Sequence, residues 1–365
     1  MSICKPEDRR YNVRLVSNSD PWNRQFGHGS HMQRIMRILG CVILVALAGC
    51  SSMPKKAAEQ GKPKRQSLTA QQRDRLLAAV EAIQKLTDEG QDGAVKAGFE
   101  QVKADLPQIA AFDLELFAKA EIYLAKKKYD HAAKTYKKMV DDYPESELRN
   151  PALARLFKIG SFYLEGPVIL NLGLFAIRGY DRGVKILEDV SEEVGLQDPN
   201  GLGVKAAVAM ARSYECRKMY GHGMYEEAYL KWSEIASVWE IGPLGKDALL
   251  GMARNKLNAY NSYPPKRRHL YDASRLTAAR SYYLKFKGLF PQDANQMDVD
   301  EIIGQIDQDV AFKNLSTGQY YYRTGKIQAA NLYFDMVIRN WPQTPAAQTA
   351  REILNAEKSN PSKVH

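Results

Sequence analysis

"YDHAAKTYKKMVDDYPES", Tyr129 to Ser146, and "IQAANLYFDMVIRNWPQT", Ile327 to Thr344, decide the fold. Each has a small residue, an aromatic residue four later, an apolar residue three after that and a proline five further on. In the first stretch these are Ala132, Tyr136, Met139 and Pro144, and in the second Ala330, Phe334, Val337 and Pro342. Offsets of four and three put the first three on one face of an α-helix, and the proline ends it just beyond. The same spacing recurs at Val95, Phe99, Val102 and Pro107, and at Ala279, Tyr283, Phe286 and Pro291. Two weaker copies, Gly183, Leu187, Val190 and Ala228, Trp232, Ile235, have no proline at that place.

A second small anchor lies twelve residues before the first. Ala120 precedes Ala132, with Tyr123 three further on, and Gly318 precedes Ala330, with Tyr321 three further on. Small residues at both places let two antiparallel helices approach closely. The pattern resembles the tetratricopeptide repeat (TPR), a helix–turn–helix unit of about 34 residues. One such hairpin leaves an apolar face open, and only stacking closes it. The reading is an all-α, TPR-type helical-hairpin solenoid of about five to six hairpins over residues 68–345, with a polar C-terminal tail at 346–365. The anchors at 95, 132, 183, 228, 279 and 330 stretch the later spacing towards 51 residues. The excess falls partly at Gly166 to Gly179 and Asn261 to Leu276. Within the first, "PVILNLGLFAI" (Pro167 to Ile177) has eight apolar residues in eleven between the hinges Gly166 and Gly179. It is expected to form an extra helix between hairpins, the alternative being an exposed docking segment.

Upstream of the repeats, "MQRIMRILGCVILVALAGC" places Arg34 and Arg37 before an apolar run from Ile38 to Leu47. That makes residues 32–49 a signal peptide, since a run of about ten residues is too short to span a bilayer as a helix. Leu47, Ala48, Gly49 and Cys50 match the bacterial lipobox, which makes Cys50 the lipid-attachment residue. Two or three acyl chains anchor stably where one does not. Ser51 and Ser52 follow instead of an aspartate, which in the lipoprotein sorting rule favours the outer membrane over the inner. Residues 1–31 put a polar extension ahead of the basic region. They are read as a start assigned too early, with Met32 the true start, and set aside from the fold. Residues 50–67, rich in Lys and punctuated by Pro54, Gly61 and Pro63, read as a flexible tether.

The formal net charge is +10. Residues 1–49 hold seven Lys/Arg and three Asp/Glu, so 45 bases and 39 acids remain, a net +6. Nucleic-acid binding wants a concentrated basic face, which this balance does not supply. Beyond Cys50 only Cys216 remains, so the domain is expected to lack disulfides and Cys216 to be a small buried hydrophobe. His131, His222, His269 and His365 lack metal-ligand spacing, and the Gly221–Gly223 stretch reads as a turn. No glycine-rich phosphate loop, nucleophile elbow or Cys/His cluster occurs. The expectation is no enzyme, no metal and no cofactor.

The lipobox, the stretch Tyr129 to Pro144 and "YDASRLTAARSYYLKFKGLFP" (Tyr271 to Pro291) together resemble the BamD (YfiO-type) family of outer-membrane assembly lipoproteins. The resemblance covers most of residues 110–345. It implies binding of unfolded outer-membrane proteins and docking to the barrel component and other subunits of the β-barrel assembly complex, without an enzymatic step. The chain departs from that family in its length, in an extra unit at 70–107 and in the 166–179 insertion. A scaffold lipoprotein for polysaccharide export or secretin assembly is the alternative. Counting from the small anchors, the groove-facing candidates are Leu114, Phe117, Glu121 and Leu124, then Phe157, Ser161 and Leu164. In the last repeat they are Phe312, Gln319, Tyr322 and Arg323.

Overall fold

The computed structural model describes residues 68–107, 112–166, 168–171, 176–219 and 222–359. The lipobox, the signal peptide, the tether and residues 1–31 lie outside them. Six antiparallel helical hairpins follow one another among the described residues. They are α1 (Ala70–Asp88) with α2 (Asp92–Asp105), α3 (Phe112–Ala125) with α4 (Tyr129–Asp142), and α5 (Arg149–Leu164) with α6 (Tyr180–Val194). Then come α7 (Leu202–Cys216) with α8 (Tyr225–Val238), and α9 (Gly242–Asn261) with α10 (Ser274–Leu289). A short α11 (Pro291–Gln296) leads into the long α12 (Val299–Arg323), which pairs with α13 (Ile327–Asn340), and α14 (Pro345–Ser359) packs on both.

The repeating triplets are the core of the second helices. Val95, Phe99, Val102, Ala132, Tyr136, Met139, Ala330, Phe334 and Val337 are all buried, as are Ala279, Tyr283 and Phe286. The two weaker copies are buried as well, on α6 and α8. Each buried large apolar side chain contributes about 1.5–3 kcal/mol. The small anchors are required by close approach. A Cβ on Gly318 would lie 2.7 Å from the Phe334 ring, and one on Gly183 2.8 Å from the Gly160 carbonyl oxygen.

Proline sets the helix ends by a common mechanism. Leu106, Tyr143, Phe290 and Trp341 close α2, α4, α10 and α13, and each precedes a proline. Their φ lies between −132° and −135°, with ψ between 57° and 66°. The proline ring excludes the helical region for the residue before it, which gives the four ends one geometry.

The turns inside three hairpins are also alike. In the α3–α4 turn Lys127 N–H donates to Leu124 O at 2.8 Å and Lys128 N–H to Tyr123 O at 2.8 Å. That is a Schellman closure with the left-handed position at Lys127, φ 57°. Gly90 and Gly325 hold the equivalent position in the α1–α2 and α12–α13 turns, φ 78° and 74°.

Three expectations are corrected. The 166–179 segment is not an extra helix. It holds two antiparallel strands, β1 (Val168–Asn171) and β2 (Ala176–Arg178), between α5 and α6. Pro167 and Gly173 leave too few residues between them to nucleate a helix, and Val168 and Ile169 are β-branched. Leu172 to Phe175 lie outside the described residues. The polar tail begins later than residue 346, because α14 buries Ala346, Ala347 and Ala350 against the last hairpin. Alanine at those positions closes the apolar face that α12 and α13 would otherwise expose. Cys216 is exposed at the end of α7, not buried. Of the Gly221–Gly223 stretch, His222 and Gly223 form the strand β4, paired with β3 (Lys218–Met219), and Gly221 lies outside the described residues.

Candidate functional site

The first helices of the hairpins form one layer of the stack, and their candidate residues divide into two groups. In the N-terminal half most are packed. Leu114, Phe117, Glu121, Ser161 and Leu164 are buried, so they do not line an open groove as expected. The α3 stripe at 114, 117, 118, 121 and 125 faces the neighbouring helices, which is the inward side of the helical period. Phe117 makes edge contacts with Phe99 at 6.1 Å and Tyr136 at 5.6 Å. Leu124 and Phe157 are half-buried against the same core. The Ser161 hydroxyl is buried without a hydrogen-bond partner.

Glu121 is instead the centre of a buried ion-pair network. Arg155 of α5 donates Nε to its Oε1 at 2.9 Å and Nη2 to its Oε2 at 3.0 Å. Arg155 also donates Nη2 to the Gln84 carbonyl at 2.9 Å and Nη1 to Asp88 at 2.7 Å, so it joins α1, α3 and α5. Lys158 holds the other Asp88 oxygen at 2.7 Å. Burial pushes the Asp88 carboxyl up, but the hydrogen bonds from Lys158 and Arg155 outweigh it and hold the group below its ordinary value. Burial and then Glu121 push the Tyr136 hydroxyl well above its ordinary value.

Two further carboxylates on first helices do the same elsewhere. Glu215 of α7 accepts from Trp232 Nε1 at 2.8 Å, Arg254 Nη2 at 2.8 Å and Asn255 Nδ2 at 2.7 Å. Asp307 of α12 accepts from Arg280 Nε at 2.7 Å and Trp341 Nε1 at 3.0 Å. The sequence reading missed all three networks. A signal was present: Glu121 and Arg155 each fall on the apolar stripe of their own helix, 34 residues apart, one repeat length.

In the C-terminal half the layer presents apolar side chains. Phe312 is 50% and Tyr320 57% exposed on one face of α12, with Ser316 between them. Gln319 is half-buried and Arg323 exposed, while Tyr322 packs half-buried on Phe334 with ring centroids 6.4 Å apart. Beside this face lies the loop from α9 to α10, which carries a 3-10 turn at Pro265–Leu270. Arg268 ties it to Asn261, donating Nη2 to the carbonyl at 2.9 Å and Nη1 to Oδ1 at 3.1 Å. Lys313 of α12 donates to His269 O at 3.2 Å and also to Tyr271 O. The His269 ring meets Phe312 edge-on at 5.3 Å, and Tyr271 stacks on Tyr263 at 3.9 Å. Leu270, 70% exposed, stands at the tip. The loop is thus held rigidly while its apolar tip stays open.

Chemically this surface offers knobs for binding rather than groups for a reaction. Phe312 and Tyr320 are eight residues apart, about 12 Å along the helix axis. Same-face residues four apart on an extended strand are about 13 Å apart. Polar side chains and Arg323 surround the apolar positions, a pattern that marks interaction sites. No cluster of three or more His, Cys, Asp or Glu able to hold a metal occurs among the described residues. No helix among them is long and apolar enough to cross a membrane.

Comparison with known proteins agrees on the repeat. A family model described as tetratricopeptide repeat matches residues 116–146, most of the α3–α4 hairpin with its closing proline. No curated protein matches the chain. A solved structure, the C-terminal part of a TPR repeat-containing protein from Cytophaga hutchinsonii, is similar at 14% identity. The match covers 77% of this chain and 95% of that one, with a TM-score of 0.31. The described chain is a TPR-type hairpin solenoid, an architecture that serves as a scaffold for protein interaction.

Proposed function

We propose that the protein is an outer-membrane-anchored TPR lipoprotein of the β-barrel assembly machinery. It takes unfolded outer-membrane proteins on its C-terminal first-helix face and docks to other subunits of the assembly complex. The observation that carries the reading is the exposed pair Phe312 and Tyr320 beside Leu270. Their spacing suits a strand whose apolar residues alternate, the pattern of a transmembrane β-strand before it folds. The lipobox at Leu47 to Cys50 supports anchoring, and Ser51 after it supports the outer membrane. The Tyr271–Asp272 loop ahead of α10 supports the resemblance to the BamD family.

Affinity purification from detergent-solubilised outer membranes tests the reading. Barrel-assembly subunits should co-purify. Recovery of polysaccharide-exporter or secretin subunits in their place would replace it with the scaffold alternative. Anchoring has its own test: fatty-acid labelling of the Cys50→Ala variant should fall to background, and undiminished label would remove Cys50 from the account.

A further inference from the structure

A cavity of about 390 Å³ opens between α4, α5 and α6, on the second-helix side of the stack and apart from the α12 face. Its volume is in the range of small-molecule sites. The floor is apolar, made by Val140, Leu153, Leu156, Ile186 and Val190. The rim is charged, and its charges fall into two classes.

Most are paired. Asp130 of α4 accepts from Arg182 of α6 and from the Tyr163 hydroxyl, the latter at 3.0 Å. Lys137 lies 3.2 Å from Asp141 and 3.9 Å from Asp189. Glu193 is held by Arg149. Lys134 and Lys185 line the same cavity and make no ion pair among the described residues. Each stands two residues after the small anchor of its helix, Ala132 or Gly183. The two lysines therefore occupy the same repeat position on successive second helices. At the same repeat position α8, α10 and α13 carry Leu230, Ser281 and Leu332, so the double cation belongs to this cavity alone among these helices.

The paired charges also fix the length of the site. Asp130–Arg182 bridges α4 and α6 on one side of the lysines and Lys137–Asp189 on the other. A helix or long strand laid along the groove would have to break both bridges. A compact ligand would break neither.

We propose that this cavity binds a small amphipathic anion: one apolar body on the floor and one carboxylate or similar group between Lys134 and Lys185. The driving forces are burial of the apolar body and charge-assisted hydrogen bonds from two ammonium groups that make no ion pair among the described residues. The site is independent of the peptide-binding reading above.

Calorimetric titration of the full-length chain with sodium decanoate, below its micelle concentration, tests the proposal. One decanoate should bind per chain. Lys134→Gln with Lys185→Gln should weaken it about tenfold or more with an unchanged melting temperature, since both lysines are exposed. Decanol, with the same body and no charge, should bind the wild-type chain at least as weakly as decanoate binds that variant. Absence of decanoate binding at millimolar concentration, equal affinity for decanol, or an unchanged affinity in the double variant would each overturn the proposal.

Discussion

The Glu121–Arg155 pair makes the sharpest stability prediction, because its two halves are not equally dependent on each other. Replacing Arg155 with Met leaves Glu121 fully buried with one neutral donor, Gln84 Nε2 at 3.3 Å. Replacing Glu121 with Leu leaves Arg155 two acceptors, Asp88 at 2.7 Å and the Gln84 carbonyl at 2.9 Å. Removing one partner of a buried ion pair costs about 3–5 kcal/mol. Arg155→Met should fall near about 5 kcal/mol and Glu121→Leu near about 3 kcal/mol, since the partners that remain decide the position in that range. The double substitution removes both buried charges, while Asp88 keeps Lys158 at 2.7 Å. It should lie within about 1 kcal/mol of the wild type, because apolar replacement of a whole buried pair is often neutral or better. Urea unfolding of the four proteins, followed by far-UV circular dichroism, provides the values. A larger cost for Glu121→Leu than for Arg155→Met would refute the reasoning, as would single costs that simply add in the double variant.

Three further outcomes follow from the geometry. Gly318→Leu should destabilise by at least about 1–3 kcal/mol, because the first added carbon already meets the Phe334 ring at 2.7 Å; a melting temperature equal to wild type would mean that the α12–α13 contact is misassigned. Lys127→Gly should stabilise by about 0.5–1 kcal/mol, since a left-handed side-chain residue is replaced by one with no Cβ, partly offset by the greater freedom of glycine when unfolded; thermal denaturation measures it, and a loss of stability would contradict the Schellman assignment. Asp88 has a lowered folded-state value, so its contribution is complete above the ordinary carboxylate value of about 4 and is lost as pH falls through the lowered one. Acid titration of Asp88→Asn should accordingly show a shallower loss of stability below that point than wild type, and identical slopes would exclude Asp88 as a contributor.

The repeat core was legible in the sequence because it depends on one-dimensional spacing. Anchors four and three apart with a proline beyond are a helical face and its stop, and no tertiary knowledge is needed to read Ala132, Tyr136, Met139 and Pro144. Even the copies lacking proline, Gly183 and Ala228, landed on buried second-helix faces. The first-helix candidates were harder. A first helix has a side towards its own partner, a side towards the next hairpin and an open side, and counting from Ala120 did not separate them. Glu121 looked like a polar groove residue because its partner Arg155 lies in the next hairpin, one repeat away. The same counting placed Phe312 and Arg323 among the groove-facing positions, and both are exposed. The 166–179 segment was misread because apolar content alone does not distinguish a helix from a short hairpin.

Site-specific photo-crosslinking in the membrane tests the central claim most directly. A photoreactive residue at Phe312 or Tyr320 should capture unfolded outer-membrane proteins, whereas one at Leu230, 60% exposed on the second helix α8, should not. Equal capture from all three positions, or capture from Leu230 alone, would contradict a binding surface on the C-terminal first-helix face.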